Sequence, residues 1–397
     1  MQSLTKLYKI GHGPSSSHTM GPGFASEIVK GKYPNANRYV VTLYNSLALT
    51  GKGHLTDAII AKKLAPSEVR FINQIDIFKH PNLFTFEIFE DDHLLNTISV
   101  RSIGGGDILF DTEENEIIDV YPEKNFEEIK AFCLSHKYSL YDYVKQYEPD
   151  IDEFLKSIWQ QMQATVRKGL VTEGVLPGTL KVVRKAKVLI DRAKQEETET
   201  ARMIRLVSAY AFSASEENAS GGLIVTAPTC GASGVLPAVL YYLRYHRGVS
   251  ERSIIEALAV AGVIGNVIKY NATISGAVGG CQAEVGSACS MTAAAHAYLS
   301  ELSIEQIEYA AEIAMEHFLG LTCDPIDGYV QIPCIERNAV AGVRAVSASE
   351  LASFLSDTRK ISFDMIVRTM YQTGLDMHPK YKETAEAGMA YFYDHVK

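Results

Sequence analysis

The spacing of apolar residues changes period part-way along the chain, and that change requires two kinds of architecture in one molecule. Over residues 1–120 the alternation is that of strands. Tyr39–Tyr44 is β-branched and aromatic, and Phe84, Phe86 and Ile88 alternate with Thr85 and Glu87, which puts three apolar side chains on one face of an extended segment. Leu94–Val100 reads as a further strand leading to the turn Gly104-Gly105-Gly106, while Gly21–Lys32 and Thr56–Leu64 suit helices between strands. From Asn125 the period is helical: Asn125–His136, Ser139–Gln146 and Asp150–Gly169 are predicted helices, and no strong strand follows. With the boundary near Pro149, the expected fold is an α+β domain with a largely antiparallel sheet over residues 1–148, then an all-helical domain over residues 149–397. A chain of 397 residues is long enough for two cores.

The net charge of −9 argues against nucleic acid or an anionic membrane as partner. The first residues, M-Q-S-L-T-K-L-Y-K-I, hold no signal-peptide apolar core. The most apolar run, Ile254–Ile268, contains Glu256 and Asn266, is too short to span a bilayer, and reads as a buried helix. Six cysteines are too few for a disulfide scaffold in a chain of this length, so a reducing cytoplasm is the expected setting. One helix has a legible start: Ser303 and Gln306 form a capping box with Leu302 and Ile307 as staple, followed by the stripe Ile304, Ile307, Ala311, Ala314, Phe318. This predicts a helix over Ile304–Leu319 ended by Gly320, with Cys323 just beyond it.

Cys323 is one of three cysteines in the stretch Cys281–Asn338 that stand near chain-bending residues: Cys281 beside Gly280, Cys323 near Pro325, Cys334 beside Pro333. Their spacing matches no short ferredoxin run. A structural zinc site would want a fourth ligand and a C-x-x-C knuckle, which is missing. A buried cysteine is also an ordinary small hydrophobe. The words around these cysteines are more specific. G-C-Q-A-E-V-G-S-A-C-S-M, G-L-T-C-D-P and Q-I-P-C-I-E-R-N-A, together with G-P-S-S-S-H-T-M-G-P at 13–22, S-L-A-L-T-G-K-G-H-L-T-D at 46–57 and A-P-T-C-G-A-S-G at 227–234, resemble the bacterial iron–sulfur L-serine dehydratase (L-serine ammonia-lyase) family over nearly the whole chain.

The resemblance implies a [4Fe-4S] cluster on Cys281, Cys323 and Cys334, with one iron left open as a Lewis acid. It implies L-serine as substrate, with pyruvate and ammonia as products, a role in serine catabolism and gluconeogenesis, a cytoplasmic homodimer, and a site in the cleft between the two domains. Cys133 and Cys289 are expected to be structural. Cys230 stands where the family words commonly have Asn, so no role carries over to it. The last residues, Y-D-H-V-K, hold no cysteine, so capping of the open iron by a tail thiol is not expected, nor is a further domain.

The residues themselves leave alternatives open. In Gly13–Pro22, Ser15, Ser16, Ser17, His18 and Thr19 lie between Gly-Pro pairs, which suits an anion-binding concavity for a substrate carboxylate, or equally a solvated loop with Thr19 as a helix cap. In Thr50–Asp57 a nucleotide phosphate loop is rejected, because the pattern needs Gly where Ser46 stands and Ser or Thr where Gly53 stands. His54 is the candidate general base, His18 the second candidate; a structural histidine is the alternative for each. Asn271 and Ser275 suit substrate contacts, or a helix C-cap and a polar turn. Glu336 and Arg337 could orient the Cys334 loop from behind. No lysine stands in a context that suggests a pyridoxal Schiff base. A related lyase for L-threonine or L-cysteine, or a cluster-bearing sensor without turnover, are the other readings, since a methyl group changes pocket binding by only about 1–3 kcal/mol.

Overall fold

The computed structural model describes residues 1–111, 118–193, 196–355 and 358–395. The first lobe takes strands and helices in the order β1 (Ile10–His12), α1 (Gly21–Lys32), β2 (Arg38–Tyr44), α2 (Asn45–Leu49), α3 (Thr56–Lys63), β3 (Ser67–Ile72), β4 (Leu83–Glu90), β5 (His93–Gly104) and β6 (Asp107–Phe110). Its sheet has the order β3-β2-β4-β5-β6; β2 and β3 run parallel and the other three pairings are antiparallel. The alternation in β4 does what its sequence requires: Phe84, Phe86 and Ile88 are all buried, and they share a core with Val41 and Leu43 of β2 and with Ala25, Val29 and Ile60 of α1 and α3.

The second lobe is helical: α4 (Phe126–His136), α5 (Leu140–Tyr147), α6 (Ile151–Val171), α7 (Ala186–Asp191), α8 (Glu199–Ala219), α9 (Val235–His246), α10 (Glu251–Asn271), α11 (Gly276–Gly279), α12 (Ser287–Leu299), α13 (Ile304–Glu316), α14 (Cys334–Leu355), α15 (Phe363–Asp376) and α16 (Gly388–His395). A three-residue strand, β7 (Leu223–Val225), interrupts it and pairs antiparallel with β1. Helix α12 is its axis. Its run of Ala, Ser, Cys and Thr from Ser287 to Ala297 is buried throughout, and the small side chains let α10, α13, α14 and α9 pack around it. Helix α10 is long and apolar enough by composition to cross a membrane, yet 72% of its apolar window is buried inside the fold, as in a core helix.

The two cores do not divide the chain at a single point. Leu4, Leu7 and Tyr8 sit in the helical core, as do Phe126, Ile129, Leu140 and Tyr143 of α4 and α5, because their apolar faces have helices to pack on and the sheet's inner face is already covered by α1 and α3. Lys9 and Lys269 both pair with Asp107, tying the amino-terminal segment and α10 to the strand after the glycine turn. The capping box of Ser303 and Gln306 is present. Helix α13 ends at Glu316, three residues earlier than its stripe predicts, because the Phe318 N–H turns back to Met315 O and Gly320 takes a left-handed φ of 81°.

Candidate active site

The three cysteines of the central stretch meet in one narrow buried pocket. It is lined by Cys281, Glu284, Cys323, Cys334 and Gly231 from the helical lobe, by Pro14, Ser15 and His54 from the other side, and by Glu383 from the segment before α16. Each sulfur is placed by a chain feature. Cys281 precedes a five-residue helical turn, Gln282–Gly286, and follows Gly280, whose φ of 73° no residue with a side chain adopts easily. Cys334 is the first residue of α14, with Pro333 before it. Cys323 lies in an extended segment held against the chain's later part: its N–H donates to Tyr381 O at 2.8 Å, and the Glu383 N–H donates to its carbonyl at 2.6 Å.

As free thiols these groups are held far from ionisation. Burial pushes Cys281 up to about 11, with Glu284 adding to it and the Arg337 guanidinium opposing. Burial also raises Cys323 and Cys334 strongly, and the neighbouring carboxylates and thiols add to the effect. Glu284 reaches within 3.9 Å of the Cys323 sulfur and accepts a hydrogen bond from Thr229 Oγ1 at 2.8 Å; burial lifts its carboxyl to about 7. Arg337 is the cation of this cluster. It donates to Thr322 O at 2.7 Å and lies 3.7 Å from Asp324, which also holds the Met389 N–H at the start of α16. Three thiols and the Glu284 carboxyl near one guanidinium make a donor set that can hold a metal, and ligand atoms of Glu284, Cys323 and Glu383 lie within 4.8 Å of one another.

On the opposite wall the rings of His18 and His54 stack, with centroids 4.5 Å apart and planes 28° apart. Both are buried, and burial lowers both: His54 to about 4, His18 well below its usual range, where His54 adds to the effect. Both are therefore neutral near pH 7. The hydrogen bonds fix their tautomers. His54 Nδ1 lies 2.9 Å from Thr50 O and must donate to it, which leaves Nε2 with a free lone pair. Ser46 Oγ donates to Glu383 O at 2.6 Å, so toward His18 Nε2, 3.0 Å away, it accepts, which leaves His18 Nδ1 without a proton and able to accept from Ser15 Oγ, 3.5 Å away. The serine loop supports this pair: Ser15 Oγ accepts from the His18 N–H at 3.1 Å, and Thr19 Oγ1 donates to His54 O at 2.6 Å.

Two family models match this chain end to end, the one described as serine dehydratase beta chain over residues 3–74 and the one described as serine dehydratase alpha chain over residues 77–390. The chain belongs to the serine dehydratase family. It is 40% identical to L-serine dehydratase 1 of Escherichia coli over 98% of this chain and 99% of that protein. It is 39% identical to the L-serine dehydratase of Haemophilus influenzae over 98% and 99%, and 38% identical to that of Streptomyces coelicolor over 98% of both. The two family models meet in the loop between β3 and β4, inside the sheet lobe, and the pocket draws on both: Pro14, Ser15 and His54 from one, the cysteines and Glu383 from the other.

Of the residues singled out from sequence, Ser15, His54 and the three cysteines line the pocket, with His18 stacked against His54. Ser16, Ser17 and Thr19 are buried in the loop behind it. Asn271 lies elsewhere: its amide donates to Lys124 O and Val267 O at the end of α10. Ser275 caps α11 beside the glycine turn, and its buried hydroxyl has no partner among the described residues. Arg337 meets Cys281, whereas Glu336 points away and pairs with Lys185 at 3.1 Å. Cys289 donates to Ala341 O and Cys133 to Ser139 O, both remote from the pocket. Cys230 is buried against Met20, with its sulfur 3.2 Å from the methionine sulfur. Sequence reading missed Glu284 and Glu383. The first stands inside the word G-C-Q-A-E-V-G, where nothing in the sequence singles it out. The second stands in K-Y-K-E-T-A, which has no periodic or motif signal, and only the threading of this segment past Cys323 and Ser46 brings it in.

Proposed function

We propose that this protein is an L-serine ammonia-lyase that converts L-serine to pyruvate and ammonia. The reading rests above all on one observation: the thiols of buried Cys281 and Cys323 and half-buried Cys334, and an unprotonated imidazole nitrogen from the other lobe, face the same pocket. The donor set suits the iron–sulfur group that the family words imply. Three thiols in this pocket are costly as isolated anions, but a cationic iron core offsets that cost, and Arg337 already lies beside Cys281. Cys281, Cys323 and Cys334 would hold a [4Fe-4S] cluster, which when bound supplies Lewis acidity at an iron that has no protein ligand.

The rest falls to the chain. Ser15 and the loop behind it bind the carboxylate or amine of the substrate. His54 takes the α-proton on Nε2; its Nδ1–H bond to Thr50 O fixes the ring's orientation and keeps that lone pair free. Loss of the α-proton and the β-hydroxyl as water gives 2-aminoacrylate, which tautomerises and hydrolyses without further help. Burial excludes bulk water from the reacting atoms. We further propose a homodimer in the cytoplasm.

Anaerobic purification with iron and sulfide counts and an absorption spectrum tests the cluster, and colourless, iron-free protein that still deaminates serine would end its part in this reading. Side-by-side assay of L-serine, L-threonine and L-cysteine tests the substrate. Changing Cys281, Cys323 or Cys334 to Ala is expected to remove iron and activity together, and Cys133→Ala neither. His54→Ala is expected to remove activity and keep the iron.

A further inference from the structure

His18 Nδ1 and His54 Nε2, the two ring nitrogens left without a proton, each lie 3.6 Å from the same atom, Glu383 Oε1. The second carboxyl oxygen of Glu383 is buried without a partner among the described residues. Three lone-pair donors thus converge on one point, and their ligand atoms all lie within 4.8 Å of one another. Burial raises the Glu383 carboxyl well above the usual carboxylate range, with Glu284 adding to it, and a cation bound between the three atoms would offset the cost of its ionisation. The spacing limits what binds there. At 3.6 Å the contacts exceed hydrogen-bond range, and a bridging water would need its neighbours roughly 4.5–5 Å apart. Two donors about 2.1 Å from one zinc-type ion, at the tetrahedral angle, are roughly 3.4 Å apart, close to the separation found here.

We infer that His18, His54 and Glu383 form a mononuclear divalent-cation site beside the cysteine ligands, with its open side toward the pocket they share. Two neutral imidazoles and one carboxylate are an ordinary ligand set for zinc. The support behind them is the kind such sites require: His54 donates its other N–H to the Thr50 carbonyl, His18 donates its own to Ser46 Oγ, and Ser46 in turn is held by Glu383 O. Ring stacking and the bond from Thr19 to His54 O keep the donors in place before any ion arrives. An ion there occupies the lone pair of His54 that removes the α-proton, so its binding blocks turnover. That inhibitory consequence rests on the ammonia-lyase reading; the binding does not.

The test uses cluster-loaded enzyme, kept anaerobic, titrated with zinc chloride. One zinc per chain is expected to stay bound beyond the iron, with an X-ray absorption edge that shows nitrogen and oxygen ligands only, at about 2.0–2.2 Å. Serine turnover is expected to fall at least tenfold in step with occupancy and to return on chelation, with the iron count and visible spectrum unchanged. Glu383→Gln and His18→Asn are each expected to weaken zinc binding tenfold or more. Zinc–sulfur distances of about 2.3 Å, or no zinc retained at equimolar concentration, would overturn the site, and both readouts use the unaltered protein, so a variant that fails to fold leaves the test intact. Zinc held by nitrogen and oxygen with turnover undiminished would keep the site and overturn its inhibitory role. Iron-free but active protein would instead overturn the cluster.

Discussion

Asn338 joins the two loops that shape the cysteine pocket, so its replacement measures how much one buried amide contributes there. Its Nδ2 donates to Gly231 O at 2.7 Å and to Cys334 O at 2.8 Å, and its Oδ1 accepts from the Gly234 N–H at 2.9 Å. The side chain is fully buried. Asn338→Ala leaves Gly234 N–H and Gly231 O without that partner in a place water does not reach. Each orphaned group costs about 1–3 kcal/mol, so the loss is about 2–6 kcal/mol. With a urea slope of roughly 3 kcal/mol/M, the unfolding midpoint should fall by roughly 0.7–2 M at unchanged slope. Asn338→Asp should be no better, since it keeps the acceptor for Gly234 but turns two donated bonds into contacts between a carboxylate and two carbonyls. A urea titration of the anaerobically prepared proteins, followed by far-UV circular dichroism, reads both. A midpoint for Asn338→Ala within about 0.3 M of the parent would refute the reasoning, because it would mean that the loops hold without the bridge.

Gly280→Ala forces a side chain into a left-handed conformation, with its Cβ 2.8 Å from Leu321 O; a loss of about 1–3 kcal/mol and reduced iron content per chain are expected by denaturation and iron assay. Glu308 is buried and pairs with Lys130 and Arg359, each at 2.8 Å, so Glu308→Gln leaves two cations uncompensated and should cost about 3–5 kcal/mol in urea unfolding. Burial lowers His296 to about 4 while the unfolded chain titrates near 6.5, so this group favours the folded state fully above pH 6.5 and loses that stabilisation as the pH falls toward 4. The drop is about 3 kcal/mol across that window, and His296→Gln should flatten that part of the stability–pH curve.

What the sequence made legible and what it hid follow a physical division. Features set by neighbours within a few residues were readable: the alternation that buries Phe84, Phe86 and Ile88, the Ser303–Gln306 box, and helix α1, whose bounds match the prediction from Gly21 to Lys32. Helix α13 was read too long because its apolar stripe continues to Phe318 after the backbone has begun to turn. The cysteines were found through the words around them, not through their spacing. Asn271 was read toward substrate because an amide after a buried helix can serve a ligand or a carbonyl equally well; the chain supplied carbonyls at Lys124 and Val267. Glu383 was invisible for the opposite reason. Nothing beside it in sequence marks it, and its place is set by partners at Ser46 and Cys323.

The crossing of Glu383 between those partners has an outcome during synthesis. The ribosome makes both histidines and all three cysteines before it makes this carboxylate, and the segment that brings it pairs with the chain at Cys323. A nascent chain therefore holds all three of these thiols in hand while part of the pocket's lining is still being translated, and the pocket is closed only once translation has passed Glu383.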